Sequence, residues 1–400
     1  MIIYSRFVMP FKVLTCRRWF LIALMSIALS ACSSKEIDLE IEPAELVDID
    51  PAFKLRKVWS KSVGDGAESL RLALRPATDG VRIYAASHEG HILAFDALTG
   101  KRTWKAKTEL PLSAGPGTDG KLVVAGSSDG DVIAVDAATG EQRWHVRVTS
   151  EVLATPALVD DKVFLRTVNG KLTALFAIDG SQAWSIQQSM PRLSVRGTSS
   201  PVIARGNVVS GFDNGRVAAF TPVDGGVLWD ILLEPPSGRT EIERLVDINS
   251  DVQVVGDDVY AVGYQGRLGA ISLDTGQLLW SRELSSINGL CVDSSSIYVT
   301  DQKSELVALS RGSGREIWRS KVIRNRDVSA PTAFGSSIVA GDFEGYLHWF
   351  DAATGDMQAR SRAGGDRITS QPLALNDMLY VLNDAGKLYA FAVRPNKKKD

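Results

Sequence analysis

Four hundred residues can build one large repeat domain or two or three compact ones, and an apolar share of 44% with a charged share of 23% excludes a disordered or collagen-like chain. A formal charge of −2, from 45 Lys and Arg against 47 Asp and Glu, leaves no basic footprint for neutralising phosphates, which argues against nucleic acid as a partner.

The first element in the chain reads as a leader. Lys12, Arg17 and Arg18 precede an apolar run from Trp19 to Leu29 that is too short and too abruptly ended for a spanning helix, so residues 1–31 are expected to be a signal peptide. Its end, Leu29-Ser30-Ala31-Cys32, resembles the bacterial lipobox. The resemblance implies that Cys32 is the first mature residue, that its thiol carries diacylglycerol, and that several acyl chains anchor the protein more firmly than one could. Ser33 stands where an aspartate would resemble the inner-membrane retention signal, which implies the periplasmic face of the outer membrane. Residues 32–54 are acidic, hold Pro43 and Pro51, and lack periodicity, as a tether would. With Cys16 in the leader and Cys32 lipidated, Cys291 has no partner, and within Leu290-Cys291-Val292 it reads as a small buried hydrophobe.

Beyond the tether one pattern recurs. Ala94-FDALTGKRT-Trp104, Ala134-VDAATGEQR-Trp144, Ala174-LFAIDGSQA-Trp184 and Ala270-ISLDTGQLL-Trp280 align without gaps, and looser copies end at Trp229, Trp318 and Ala359. The spacing of about 40 to 50 residues is that of propeller blades. A hairpin signal lies upstream of each copy, at Glu89-Gly90, Asp129-Gly130, Asn169-Gly170, Asn214-Gly215, Gln265-Gly266, Ser304-Glu305, Glu344-Gly345 and Ala385-Gly386. Those are eight hairpins, but only seven are followed by a tryptophan-type strand. The missing strand lies at the other end, where Lys57-VWSKSV carries Trp59. The expected fold is therefore all-β, an eight-bladed propeller over residues 55–393 of four-stranded antiparallel blades, with the N-terminal strand completing the last blade and hiding the edges. Residues 394–400 are a short basic tail, expected to be solvated.

Each repeat has a physical reading. Pro116, Pro156, Pro201, Pro331 and Pro372 open inner strands, where a missing N–H costs least. The Asp-x-x-Thr-Gly turns place glycine where a tight connection asks for positive φ. The tryptophans are large flat surfaces expected to wedge between neighbouring blades rather than to stack on a ligand. His88 and His91, three apart in a hairpin, do not share a ligand face as they would on a helix.

The A-x-D-x-x-T-G-x-x-x-W pattern resembles the quinoprotein repeat. One family bearing it, the PQQ-dependent alcohol dehydrogenases, holds its quinone under a vicinal disulfide and beside calcium-binding carboxylates. Neither adjacent cysteines nor spare length for such insertions occurs here, so the chain is read as non-catalytic and without a cofactor or metal. The sequence is more closely similar to the BamB family, propeller lipoproteins of the outer-membrane β-barrel assembly machinery. Leader, lipobox, acidic tether and strand closure agree with it, as do Leu193-Ser194-Val195-Arg196-Gly197, Thr240-Glu241-Ile242-Glu243-Arg244-Leu245, Val299-Thr300-Asp301-Gln302 and the run from Gly341 to Trp349. The resemblance implies a scaffold subunit bound to the periplasmic POTRA domains of BamA, assisting insertion of outer-membrane proteins, with those proteins in unfolded form as further candidate partners. The alternatives are a periplasmic propeller that binds glycan or peptide and, further off, a PQQ dehydrogenase.

Spacing points independently to a binding face. About a dozen residues separate most tryptophans from the next inner strand, but Trp184 to Pro201 and Trp229 to about Asp251 are longer, and insertions in a repeat protein tend to gather on its binding face. The first holds Met190, Leu193, Val195 and Arg196; the second holds Ile242, Arg244, Leu245, Asp247 and Asn249. Apolar groups mixed with arginine and acid have the make-up of an interface hot spot. The family resemblance carries a BamA contact onto Leu193, Val195, Arg196, Asp247 and Asn249. Val195 and Asn249 depart from the family's leucine and aspartate, and the asparagine weakens any electrostatic part of the contact. Pairing of an unfolded strand with an outer blade edge is a further possibility that no residue singles out.

Overall fold

A computed structural model of the chain describes residues 42–66, 70, 72, 74–195, 199–236 and 239–394. Residues 1–31, expected to be a signal peptide, Cys32, Arg196 and the residues after Arg394 lie outside them. The chain divides into two units, 1–42 and 43–400, and the architecture is that of the second.

Among the described residues, thirty-two strands form eight four-stranded antiparallel sheets. Blades 1 to 7 span residues 77–107, 112–147, 157–187, 202–232, 253–283, 289–320 and 332–362. Blade 8 takes three strands from 373–394 and its outer strand, Lys54–Ser62, from the other end of the chain. That strand runs antiparallel to Lys387–Arg394, from Lys54 opposite Arg394 to Ser62 opposite Lys387. All eight hairpins and the N-terminal closure stand as the repeat implied.

The seven tryptophans of the outer strands are the joints between blades. Each indole Nε1 donates to a carbonyl in the next blade, from Trp59 to Ala97, Trp104 to Ala137, Trp144 to Ala177, Trp184 to Pro222, Trp229 to Leu273, Trp280 to Arg311 and Trp318 to Ala352, at 2.6–3.1 Å. The acceptor always lies in the turn leading to the next outer strand. That turn ends in glycine for two reasons. Gly140, at φ 76°, takes a backbone conformation that strains any other residue, and a Cβ on it would meet the Trp104 ring at 2.6 Å. The same carbonyls serve the second strand: Ala97 also accepts from Tyr380 Oη at 3.0 Å, and Ala137 from Tyr84 at 3.2 Å.

Blade 7 breaks the pattern in an orderly way. Elsewhere an alanine on the third strand faces a tryptophan on the outer strand, as Ala94 faces Trp104 and Ala390 faces Trp59. In blade 7 the pair is reversed, with Trp349 on the third strand facing Ala359. The reason lies in blade 8, whose outer strand comes from the other end of the chain, so that no Asp-x-x-Thr-Gly turn joins it to the third strand. An indole at 359 would have no turn carbonyl to reach. The joint is made instead by Phe53, packed edge-on against Trp349 at 5.8 Å, with Phe334 on it at 5.4 Å.

Phe53 belongs to a segment laid along blade 7. Its course runs opposite to the blade-7 outer strand Met357–Arg362: Ala52 N–H donates to Gln358 O at 2.8 Å, and Arg360 Nη1 donates to Val47 O at 2.9 Å. Farther along, Ala44 N–H donates to Arg324 O at 2.9 Å and Ala44 O accepts from Arg326 at 3.0 Å. Arg326 is itself set by Asp342, which also holds the fully buried His348 at 2.9 Å. Burial depresses the His348 pKa, against the pull of the Asp342 carboxylate.

Candidate partner-binding face

Strand direction assigns the connections to two faces. Each inner strand starts, and each second-to-third hairpin turns, on one face, whereas the Asp-x-x-Thr-Gly turns lie on the other. The first face therefore carries every connection between blades. The longest are 233–252, between blades 4 and 5, and 188–201, between blades 3 and 4. The connection 63–76, from blade 8 to blade 1, is as long as 188–201 and adds a third that the spacing from Trp184 and Trp229 did not include. Blade 4 stands between the two loops singled out by sequence.

On the axis this face opens into a cavity of about 740 Å³. Leu72, Leu153, Val195, Ile287, Val328 and Ile368 line it, each from a different connection, so its wall is largely apolar. Glu151, Asp327, Arg367 and His88 add polar groups, and Asp327 and Arg367 are paired with each other. His88 is occupied by Leu112 O at 3.0 Å, while His145 holds Asp131 at 2.9 Å in another part of the ring. Among the described residues no group of three or more His, Cys, Asp or Glu could hold a metal ion.

The first loop begins where the blade-3 outer strand Gln182–Gln187 ends. Asn214 on blade 4 holds Ser189 through its backbone oxygen and its hydroxyl, both at 3.0 Å. Met190 covers Gly170, whose missing Cβ would lie 2.5 Å from the Met190 sulfur. Leu193 follows with 42% of its surface in solvent, and Val195 is half-buried against the cavity.

The second loop has an exposed part and a buried part. In the first, Glu243 accepts from the N–H groups of Arg239 and Thr240 at 2.6 and 3.1 Å while its own N–H donates to Thr240 Oγ1 at 3.2 Å, a reciprocal cap that closes one turn. That turn holds Ile242 at 64% exposure. From Val246 to Ser250 the chain then dives inward: Ile248 N–H donates to Phe212 O at 3.1 Å, and Tyr264 N–H to Asp247 O at 2.8 Å.

These contacts place four of the five residues singled out by the sequence, Arg196 lying outside the described residues. Leu193 is outward. Val195 and Asp247 are brought together, because the Val195 N–H donates to the Asp247 carboxylate. Asp247 is fully buried and Asn249 nearly so, with Asn249 reaching the cavity wall. The second loop thus pins the first from beneath. Burial pushes the Asp247 pKa up to about 6 and nearby Asp213 adds to this, while the Val195 N–H and Arg166 oppose it. Arg166 and Asp213 form an ion pair below, both shielded from water, with the guanidinium over the Phe212 ring at 5.5 Å. Sequence reasoning missed this pair because Arg166 ends an ordinary second strand and Asp213 sits in an ordinary hairpin turn.

Comparison with known proteins follows the same outline. The family described as "Outer membrane protein assembly factor BamB" matches residues 88–320 and 302–397. A Pseudomonas aeruginosa protein of that name is 45% identical over 379 residues, covering 94% of this chain and 100% of its own length. Among solved structures, BamB from Moraxella catarrhalis superposes with a TM-score of 0.78 at 27% identity, over 85% of this chain and all of that one. The quinohemoprotein alcohol dehydrogenase of Comamonas testosteroni also superposes, at 0.68 with 13% identity over 86% of this chain and 78% of its own, a likeness of fold alone.

Proposed function

Since this chain belongs to the family of the outer membrane protein assembly factor BamB, we propose that it is a scaffold subunit of the outer-membrane β-barrel assembly complex. In this reading it binds the periplasmic POTRA region of BamA and assists folding and insertion of outer-membrane proteins by holding components rather than by catalysis. Lipid on Cys32 anchors it to the periplasmic side of the outer membrane. The contact is made by the loop face beside blade 4, with Leu193, Val195 and Arg196 from the first loop and Asp247 and Asn249 from the second.

The observation that carries this reading is the division of labour between the loops. An exposed leucine on a flexible connection would lose conformational entropy on binding, but the buried Asp247 fixes the backbone at Val195, two residues away. Leu193 is thereby offered as a preorganised apolar anchor, and the buried acid contributes by holding it. The test is co-purification of BamA with the tagged protein and with a Leu193→Ala, Arg196→Ala double variant, each checked for fold by circular dichroism. Loss of BamA from the folded variant supports the reading. Absence of BamA with the wild type removes the reading altogether.

A further inference from the structure

Every blade ends in an outer strand whose far edge has no strand partner among the described residues. Such edges attract other strands, and proteins blunt them with lysine and arginine. Six of the eight follow that rule. Cations stand at Arg56 in blade 8, Lys105 in blade 1, Arg143 in blade 2, Arg282 in blade 5, Arg319 in blade 6 and Arg360 in blade 7. The two without any are the neighbours Gln182–Gln187 of blade 3 and Val227–Leu232 of blade 4.

These two differ in what they offer instead. The blade-3 strand turns Gln182, Ser185 and Gln187 to solvent, whereas the blade-4 strand exposes Val227, Leu228 and Leu232. Strand alternation puts Leu228, Asp230 and Leu232 on one face. The acid between the two leucines is taken by Arg216, whose Nε lies 2.6 Å from its Oδ1. What remains is an apolar edge with its charge neutralised. It runs directly into the 233–252 loop, so it is continuous with the proposed BamA-binding face.

The molecule itself shows how such an edge is covered. Residues 47–53 run opposite to the blade-7 outer strand, joined to it by one main-chain bond from Ala52 N–H and by the Arg360 side chain on Val47 O, with half-buried Phe53 at the end. An extended segment with apolar residues at intervals is thus an accepted neighbour of an outer strand in this ring.

We propose that the blade-4 outer strand is a docking edge for an extended segment of an unfolded outer-membrane β-strand. Main-chain hydrogen bonds align the segment, and its alternate apolar side chains cover Leu228 and Leu232. The proposal rests on the assembly-subunit reading for its choice of partner, but it needs no contact with BamA.

The experiment uses the mature full-length protein and a fluorescent peptide of alternating valine and threonine with terminal lysines, followed by anisotropy. Photo-crosslinking from p-benzoylphenylalanine placed at position 228, and separately at position 105 on blade 1, locates it. Expected are binding by the wild type, crosslinks from 228 that exceed those from 105, and at least tenfold weaker binding by L228K/L232K with BamA capture retained. L228T/L232T, which keeps strand propensity, weakens binding in the same direction and serves if the lysine pair fails to fold. No binding by the wild type, equal binding by the folded variants, or equal crosslinking from both positions overturns the proposal. BamA capture by the wild type is scored separately, so its failure removes the assembly reading while the edge stands or falls on the peptide alone.

Discussion

Replacing Asp247 by asparagine tests whether the acid beneath the first loop holds it by shape or by charge. The amide keeps an oxygen that can accept from Val195 N–H, and it removes a carboxylate whose pKa is raised from 3.8 to about 6. A raised acid pKa means that the folded state resists ionisation. The stability associated with the neutral form is therefore complete below the unfolded pKa and is lost as pH rises through 6. The full linkage is about 3 kcal/mol at pH 8, of which roughly half accrues between pH 5 and pH 8. Asp247→Asn should accordingly gain on wild type as pH rises, by roughly 1 kcal/mol over that interval, read as the difference in urea midpoints at the two pH values. A variant that loses stability relative to wild type as pH rises refutes the argument. That result would mean a cation compensates the buried charge more fully than Arg166 and the Val195 N–H do.

The blade joints predict that Gly140→Ala costs about 2–4 kcal/mol, from a left-handed backbone and from crowding the Trp104 ring. Gly206→Ala, at φ 78° with nothing within 4 Å of its Cβ, isolates the backbone part and should cost only about 1 kcal/mol; equal urea midpoints for the two variants would contradict the packing role. Arg166→Ala leaves the buried Asp213 unpaired and should destabilise by about 3–5 kcal/mol, whereas a thermal shift no larger than that of an exposed arginine would show the pair to be unimportant. Phe53→Ala should cost about 1–2 kcal/mol through the blade 7–8 joint, with faster hydrogen exchange in Lys54–Ser62 as its signature.

The ring was legible in the sequence because a repeat writes its instructions eight times. A glycine that must be left-handed, an alanine facing a tryptophan and a hairpin turn recur at fixed offsets, so copies with lost letters are still recognised. Ala359 shows the limit. Its strand could be placed from the repeat, but the exchange with Trp349 depends on the turn missing from blade 8, a neighbour known only once the ring is closed. Residues 43–53 carry no period, because scattered hydrogen bonds such as those with Gln358, Arg360, Arg324 and Arg326 impose none. The face bearing the long loops was readable from interval lengths, and Leu193 is exposed there. The inward position of Asp247 was not readable, since an acid in a long connection gives no sign of the Phe212 and Val195 backbone groups that draw its segment into the interior.

Closure by Lys54–Ser62 also sets an order of events in time. The first strand of the ring waits for the last, and its partner Lys387–Arg394 is synthesised only after every other blade. Until then blade 8 is incomplete, blade 7 has a neighbour on one side only, and the early strand stands with both edges open. Search across more than 300 residues must precede the reward of pairing, which makes late assembly slow and exposes the nascent protein to aggregation or proteolysis. A lesion in the last dozen residues of the ring should thus act like one in its first strand, because both remove the same seam.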